Sequence, residues 1–278
     1  MTERNKQTLH IAWTVDDGPT KHTNDMVDVF KERGIPVTWY IQRNNLTKPW
    51  LPIYQKLQNA HGHEVAIHGI HPKKDHLSWF PSSKLPSFES MDSALEDLGE
   101  FYHELKTAGL RVKFIRLPYG LFTEINQRLV MAGAKTGVAD KARDIIKGQA
   151  GDKGPTQTVA KEFKSLQAEI KKLGLHLWGG ASTDKVSVQS WEAESAGVGT
   201  GRTDNIPQIP KKMMEVSLPK RPSKTGSLVI LCHDTSQADV KEVKRDIAEM
   251  ETVAKATNTT IKYHTMSSMY KQVVGREP

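Results

Sequence analysis

Two adjacent carboxylates, Asp16 and Asp17, stand in the hexapeptide Thr14-Val15-Asp16-Asp17-Gly18-Pro19. Side chains alternate along an extended chain, so neighbouring acids at a strand end point in different directions. One can bind a metal ion while the other faces a substrate. Gly18-Pro19 then forces a sharp turn. Further along, the stretch from Gly62 to Pro72 carries His63, His68 and His71, with Asp75 and His76 just beyond. Closely spaced histidines after a strand are a good source of imidazole ligands. One carboxylate and two imidazoles leave room on a divalent ion for water and substrate, as hydrolysis needs. A lone histidine is more often structural, and His61, His63 and His103 are read that way.

Two more segments carry chemistry. Phe114-Ile115-Arg116-Leu117-Pro118-Tyr119-Gly120 sets an arginine at a strand end, where its guanidinium can hold a carboxylate in a bidentate contact. Its Pro-Tyr-Gly turn offers a backbone N–H and an aromatic face. Leu228-Val229-Ile230-Leu231-Cys232-His233-Asp234 sets His233 directly after an apolar run, the place for a general acid. Cys232 is the one cysteine, so no internal disulfide can form. It reads as a small buried hydrophobe.

These residues need elements to position them. Short apolar runs at Leu9–Val15, Val37–Ile41, Glu64–Ile67, Val112–Arg116, Lys135–Ala139, Leu175–Trp178, Leu228–Cys232 and Ile261–His264 read as strands. Between them, helices are expected at Asn24–Arg33, Leu51–Ala60, Ser90–Ala108, Glu124–Ala134, Val159–Leu173, Asp239–Ala256 and Ser267–Val273. Met91, Leu95, Leu98, Tyr102 and Leu105 show the three- and four-residue spacing of one helix face, and Gly109 is placed to end that helix. Seven or eight β/α units in series predict an α/β fold, either a barrel or a doubly wound sheet. In a barrel, catalytic groups gather at the C-terminal ends of strands. Asp16, Asp17, His68, His71, Arg116 and His233 all stand there in this reading. The stretches Ala139–Gln157 and Gly179–Gly226 read as loops over that face.

The chain has 278 residues, 37% hydrophobic and 26% charged, which is ordinary for a globular protein. A single domain over residues 1–278 is expected, with an irregular insertion at about 179–226. The net charge of +7 permits an anionic polymer as partner. The basic clusters Lys161–Lys172 and Lys211–Lys224 lack the interleaved aromatics of a nucleic-acid groove, so nucleic acid is not an expected partner. No apolar segment is long enough for a secretory signal or a membrane span. The expectation is a cytoplasmic protein, or one exported by a non-classical route or trimmed from a longer chain. Oligomeric state is open.

Taken in order, these four segments resemble the polysaccharide deacetylase family, which includes chitin and peptidoglycan deacetylases. The resemblance is strong at Thr14–Pro19, Arg116–Gly120 and Leu231–Asp234, and covers most of Leu9–Ala139 and Gly226–Val273. It implies a distorted (β/α) barrel with long loops over the C-terminal face. It implies Asp16 as catalytic base, Arg116 as the residue that orients it, His233 as general acid, and the Tyr119 backbone N–H in an oxyanion hole. It implies Asp17, His68 and a second histidine as ligands of one divalent ion, commonly Zn2+, with Co2+ or Ni2+ as substitutes. The implied reaction is removal of N-acetyl groups from an amino-sugar polymer or oligosaccharide.

The chain departs from the family pattern in two places. The family spaces its two histidine ligands four residues apart, with Ser or Thr after the first. Here Gly69 follows His68 and Pro72 stands four beyond it. His71 is then the preferred third ligand, and His76 the alternative. The family's acidic segment that orients the catalytic histidine has no clean copy. Asp140, Asp144 and Asp184 compete for that role, with Trp191 as a source of the missing aromatic wall. Two alternatives stay open: a hydrolase of a small amide or cyclic ureide of the allantoinase type, and a glycan-binding relative without catalysis.

Overall fold

The structure is a computed structural model that describes residues 7–69, 91–116, 165–166, 168–177, 193–194 and 225–278. The expected helix Glu124–Ala134 and strand Lys135–Ala139 lie outside the described residues. The chain divides into two compact units: residues 1–39, 56–64 and 184–278, and residues 40–55 and 65–183.

The first unit is built on β1 (Gln7–Gly18), paired in parallel with β7 (Thr225–His233) on one side and with β8 (Thr259–His264) on the other. A parallel strand covered on both faces reads as a continuous apolar run, and β1 is buried from Leu9 through Asp16. The apolar pattern predicts an end to this strand at Val15. It continues to Gly18, and its pairing with β7 runs past Val15 to the register pair Asp16↔His233. A two-residue strand, β6 (Ala193–Glu194), pairs with β7 at Ile230 and Leu231. It corrects the expectation that Gly179–Gly226 is all loop, since two residues carry no readable period.

The unit's helices are α1 (Thr23–Glu32), α4 (Gln237–Ala256) and α5 (Met266–Val274). In α4, Val240, Val243, Ile247, Met250 and Ala254 form the buried stripe. Its start is fixed by a capping box, in which the Ser236 hydroxyl accepts from Asp239 N and the Asp239 carboxylate accepts from Ser236 N. In α1, Phe30 packs on Trp13, with ring centroids 5.6 Å apart, and meets Trp39 edge-on at 6.4 Å. The start of α5 is held by Glu64, whose carboxylate accepts from Ser267 N at 2.9 Å and from the Ser267 hydroxyl.

The second unit pairs β3 (Glu64–His68), β4 (Val112–Arg116) and β5 (His176–Leu177) in parallel. The chain crosses between the two residue ranges within β2 (Val37–Ile41), α2 (Leu51–Ala60) and at the start of β3. Helix α3 (Met91–Thr107) buries Ala94, Leu98, Phe101 and Leu105; of the face expected from the spacing, Leu98 and Leu105 are buried, whereas Leu95 and Tyr102 are half-buried because the buried stripe is centred on Ala94 and Phe101, one residue earlier. Gly109, at φ 78°, terminates it as expected. Residues 165–166 and 168–172 are helical too, within the expected Val159–Leu173. Arg43, whose side chain is buried, forms ion pairs with Asp97, Glu100 and Glu104 on α3. The class is therefore α/β with parallel strands. Among the described residues, the strands of each unit pair in an open row.

Candidate active site

In the first unit, chemistry collects where β1 and β7 end. Asp16 and His233 are register partners, so the expected base and the expected acid stand side by side across two paired strands. Asp16 is buried, whereas the Asp17 and His233 side chains are partly open to solvent. His233 Nε2 lies 3.8 Å from Asp17 Oδ2. Asp17 sits at φ 69°, a left-handed conformation that a residue with a Cβ adopts rarely. That twist breaks the strand's alternation and turns the second carboxylate away from the course it would take in a continued strand. The adjacent acids therefore have different environments, one enclosed and one at the surface.

Next to them lies a buried group to which the sequence assigns no task. Asp234 is fully buried, and burial pushes its carboxyl up to about 7. A hydrogen bond from the Thr23 hydroxyl opposes this shift, and the charge of Asp17 adds to it. The Thr20 hydroxyl donates to the Asp234 carbonyl. The legible signal is a pair of threonines three apart, straddling the turn into a helix. Neither spacing nor composition ties them to a residue more than two hundred positions away. Cys232 is buried, with Sγ 3.3 Å from the Thr14 carbonyl oxygen, in keeping with a small core residue.

In the second unit, His68 and Arg116 are the last residues of β3 and β4, and they are register partners. His68 Nδ1 lies 3.1 Å from the Arg116 carbonyl oxygen. A carbonyl only accepts, so Nδ1 carries the proton and Nε2 presents the lone pair. This is the tautomer of a metal ligand held by a carbonyl behind it. The same carbonyl accepts from Gly69 N at 2.6 Å. Gly69 has φ 72°, which explains why a glycine stands where the family pattern has a hydroxyl residue. The Arg116 guanidinium is buried over the Tyr40 ring, 4.1 Å from its centroid.

Each taken by itself, Asp17 is a partly exposed carboxylate and His68 an imidazole with its Nε2 lone pair free of the proton, both donor types that divalent ions take. Among the described residues, no group of three His, Cys, Asp or Glu side chains is arranged to hold a metal ion. His71 and its alternative His76 lie outside the described residues, as do Tyr119, Asp140, Asp144, Asp184 and Trp191. The histidines set aside as structural include His63. It is buried and accepts from the Trp39 indole N–H at 3.2 Å, and burial holds its pKa down at about 4.

The family model of polysaccharide deacetylases matches residues 3–139. That is 137 of 278 residues, and over them the chain is similar to the polysaccharide deacetylase family. The match takes in Asp16, Asp17, His68, His71, Arg116 and Tyr119, while His233 lies beyond it. The family's deacetylases are hydrolases of carbon–nitrogen bonds other than peptide bonds. No curated protein is a significant match to the chain. Among solved structures, the catalytic domain of a peptidoglycan N-acetylglucosamine deacetylase from Eubacterium rectale is similar over 93% of this chain and 90% of its own, at 19% identity and a TM-score of 0.52. The chitin deacetylase of Colletotrichum lindemuthianum is similar over 100% of this chain and 95% of its own, at 14% identity and a TM-score of 0.53. A family 4 carbohydrate esterase from Streptomyces lividans is similar over 94% of both chains, at 16% identity and a TM-score of 0.50. At these identities the likeness is one of fold. No helix among the described residues is long and apolar enough to cross a membrane.

Proposed function

We propose that this protein is a polysaccharide deacetylase, a metal-dependent hydrolase that removes N-acetyl groups from an amino-sugar polymer or oligosaccharide of the peptidoglycan or chitin type. The observation that carries the proposal is the register pair Asp16↔His233, with Asp17 beside His233 at a left-handed φ. Amide hydrolysis needs a group that takes a proton from water and a second that gives one to the departing amine. Asp16 takes the first role. It is enclosed, and its carboxylate accepts the proton of the attacking water. His233, partly open to solvent, delivers a proton to the amine nitrogen as the C–N bond breaks. Two groups with opposite tasks need separate environments, and the ends of two strands provide them.

Asp17, His68 and His71 are the residues that would hold a divalent ion, with Zn2+ the first candidate. When bound, such an ion supplies Lewis acidity toward the acetyl carbonyl and lowers the pKa of water. The Arg116 carbonyl keeps the His68 proton on Nδ1, which leaves Nε2 as the donor. The Tyr119 backbone N–H is assigned to the oxyanion. The resemblance of the Arg116–Gly120 segment to the family supports that assignment.

A second reading, hydrolysis of a small amide or cyclic ureide, is favoured by one observation: the family's hydroxyl residue is replaced by Gly69 at φ 72°. The deciding experiment incubates the protein and Zn2+ with acetylated chitooligosaccharides, peptidoglycan, allantoin and simple acetamides. Acetate release from a glycan, lost in Asp17→Ala, is the expected result. Turnover confined to allantoin or an acetamide overturns the glycan reading. Glycan binding without any acetate points to a non-catalytic relative.

A further inference from the structure

We propose that Ser268 is a second nucleophile of this protein: a serine that takes the acyl group of a small activated ester, with His264 as its base and His10 as the residue that positions that base. The three side chains form one hydrogen-bonded chain. His264 Nδ1 is 2.8 Å from the Ser268 hydroxyl, and His264 Nε2 is 2.7 Å from His10 Nδ1. A nucleophile within hydrogen-bond reach of a base, with the base held by a third group, is the arrangement that activates a hydroxyl. The chain of bonds runs from solvent into the core. Ser268 is exposed, His264 half-buried and His10 buried. Three elements build it. His10 stands on β1 in register with Lys262 of β8, and His264 follows Lys262 by two residues, on the same face. Ser268 is the third residue of α5, whose N-cap Thr265 directly follows β8. This site is separate from the one at the strand ends. His10 precedes Asp16 by six residues on β1, so about 20 Å of strand lies between them.

Burial, with neighbouring charge adding to it, holds both rings below the usual imidazole range, so both are uncharged at neutral pH. In the reactive tautomer the His264 proton is on Nε2 and is donated to His10 Nδ1. His264 Nδ1 then keeps its lone pair and accepts from the Ser268 hydroxyl. Ser268 Oγ attacks the acyl carbon as its proton passes to His264 Nδ1. The ester C–O bond breaks, and the leaving phenolate takes that proton from His264. Water then hydrolyses the acyl-serine to the free acid and restores the hydroxyl. While His264 is charged, its bond to the neutral His10 is charge-assisted, about twice as strong as between neutral groups. Exposed Lys262, on the same face, offers a cation to the developing oxyanion. The first turn of α5, where Ser268 lies, is the positive end of the helix and favours a forming alkoxide. An aryl ester suits a hydroxyl at the surface, because a phenolate leaves with little assistance.

The test incubates the full chain with 4-nitrophenyl acetate and a chelator, which keeps metal-held water out of the reaction. Release of 4-nitrophenolate is followed, and peptide mass spectrometry of quenched samples locates the acetyl group. The expected result is an acetyl adduct on Ser268 that Ser268→Ala abolishes. Release should be about 100-fold slower in His264→Gln, which removes the base at a half-buried position and leaves the core intact. It should be about 10-fold slower in His10→Phe, and His10→Gln, whose amide oxygen still accepts, should recover most of that loss. Imidazole nitrogen shifts should place the His264 proton on Nε2 in wild type. An unacetylated Ser268 in wild type, an adduct that forms as fast in His264→Gln, or a His264 proton on Nδ1 overturns the proposal. Acetate release from a chitooligosaccharide with Zn2+ should be unchanged in Ser268→Ala. If wild type releases none while Ser268 is acetylated, the serine site stands and the deacetylase reading fails.

Discussion

At the scale of single residues, two side chains of one type differ in what their surroundings make of them. His233 keeps a solvent-facing ring beside an acid, whereas His63 is enclosed and paired with an indole N–H. The proposed roles predict that Asp16→Asn and His233→Gln each lower kcat by about 10²- to 10⁴-fold. Steady-state acetate assays on glycan oligomers check this, and circular dichroism should report an unchanged fold. For His63 the consequence is one of stability. Its folded pKa of about 4 lies below the ordinary value of 6.5, so the unfolded chain binds more protons between those limits. Stability is then fully present above pH 6.5 and is lost as pH falls toward 4, by about 3 kcal/mol for this group. His10 and His264 act in the same direction. Their rings hydrogen-bond at 2.7 Å, and burial lowers both pKa values, with Lys262 adding to the effect. Urea melts of wild type and His63→Gln between pH 4 and 7 should show a shallower acid slope in the variant.

At the scale of elements, the ends matter more than the interiors. Asp16, His68, Arg116 and His233 each stand at or next to a strand's C-terminal end, and a left-handed residue or a helix cap redirects the chain close to Asp16, His68 and His233. Gly69 is the test case, because its N–H closes on the Arg116 carbonyl that also fixes the His68 tautomer. A Cβ at φ 72° costs about 1–2 kcal/mol. Gly69→Ala should therefore lower the stability measured in urea melts by that amount, and it should weaken Zn2+ binding in calorimetry by disturbing His68. The capping box of α4 gives a second test of stability. Ser236→Ala removes one acceptor from the helix start and should cost about 1 kcal/mol in the same melts.

At the scale of the whole molecule, the proposed metal binding would be linked to folding. A ligand that binds the folded chain alone stabilises it by about 2.7 kcal/mol at a hundredfold excess over its Kd. Wild-type protein stripped with a chelator should melt lower and regain its melting temperature with Zn2+. Asp17→Ala should melt at one temperature with or without the ion. An equal upward shift in Asp17→Ala would remove Asp17 from the proposed ligand set. The net charge of +7 adds a second whole-molecule property. It favours encounter with an anionic polymer, and that preference should weaken as salt is raised.

Sequence by itself determined the class, the family resemblance and the residues worth watching. Hydrophobic runs of strand length alternating with helical periods are a local property, which is why Val37–Ile41, Leu51–Ala60 and Val112–Arg116 coincide with the observed elements. The paired acids and the histidine after an apolar run were legible because their chemistry needs those residue types at a strand end. Tertiary structure decided the rest. Strand β1 outran its apolar pattern, because pairing with a neighbour carries it past Val15 to Asp16 whatever its own side chains. The reason for a glycine after His68 became visible only as a positive φ. Asp234 and its two threonines were invisible as a unit, because a hydrogen bond across 211 positions leaves no period, spacing or composition to read.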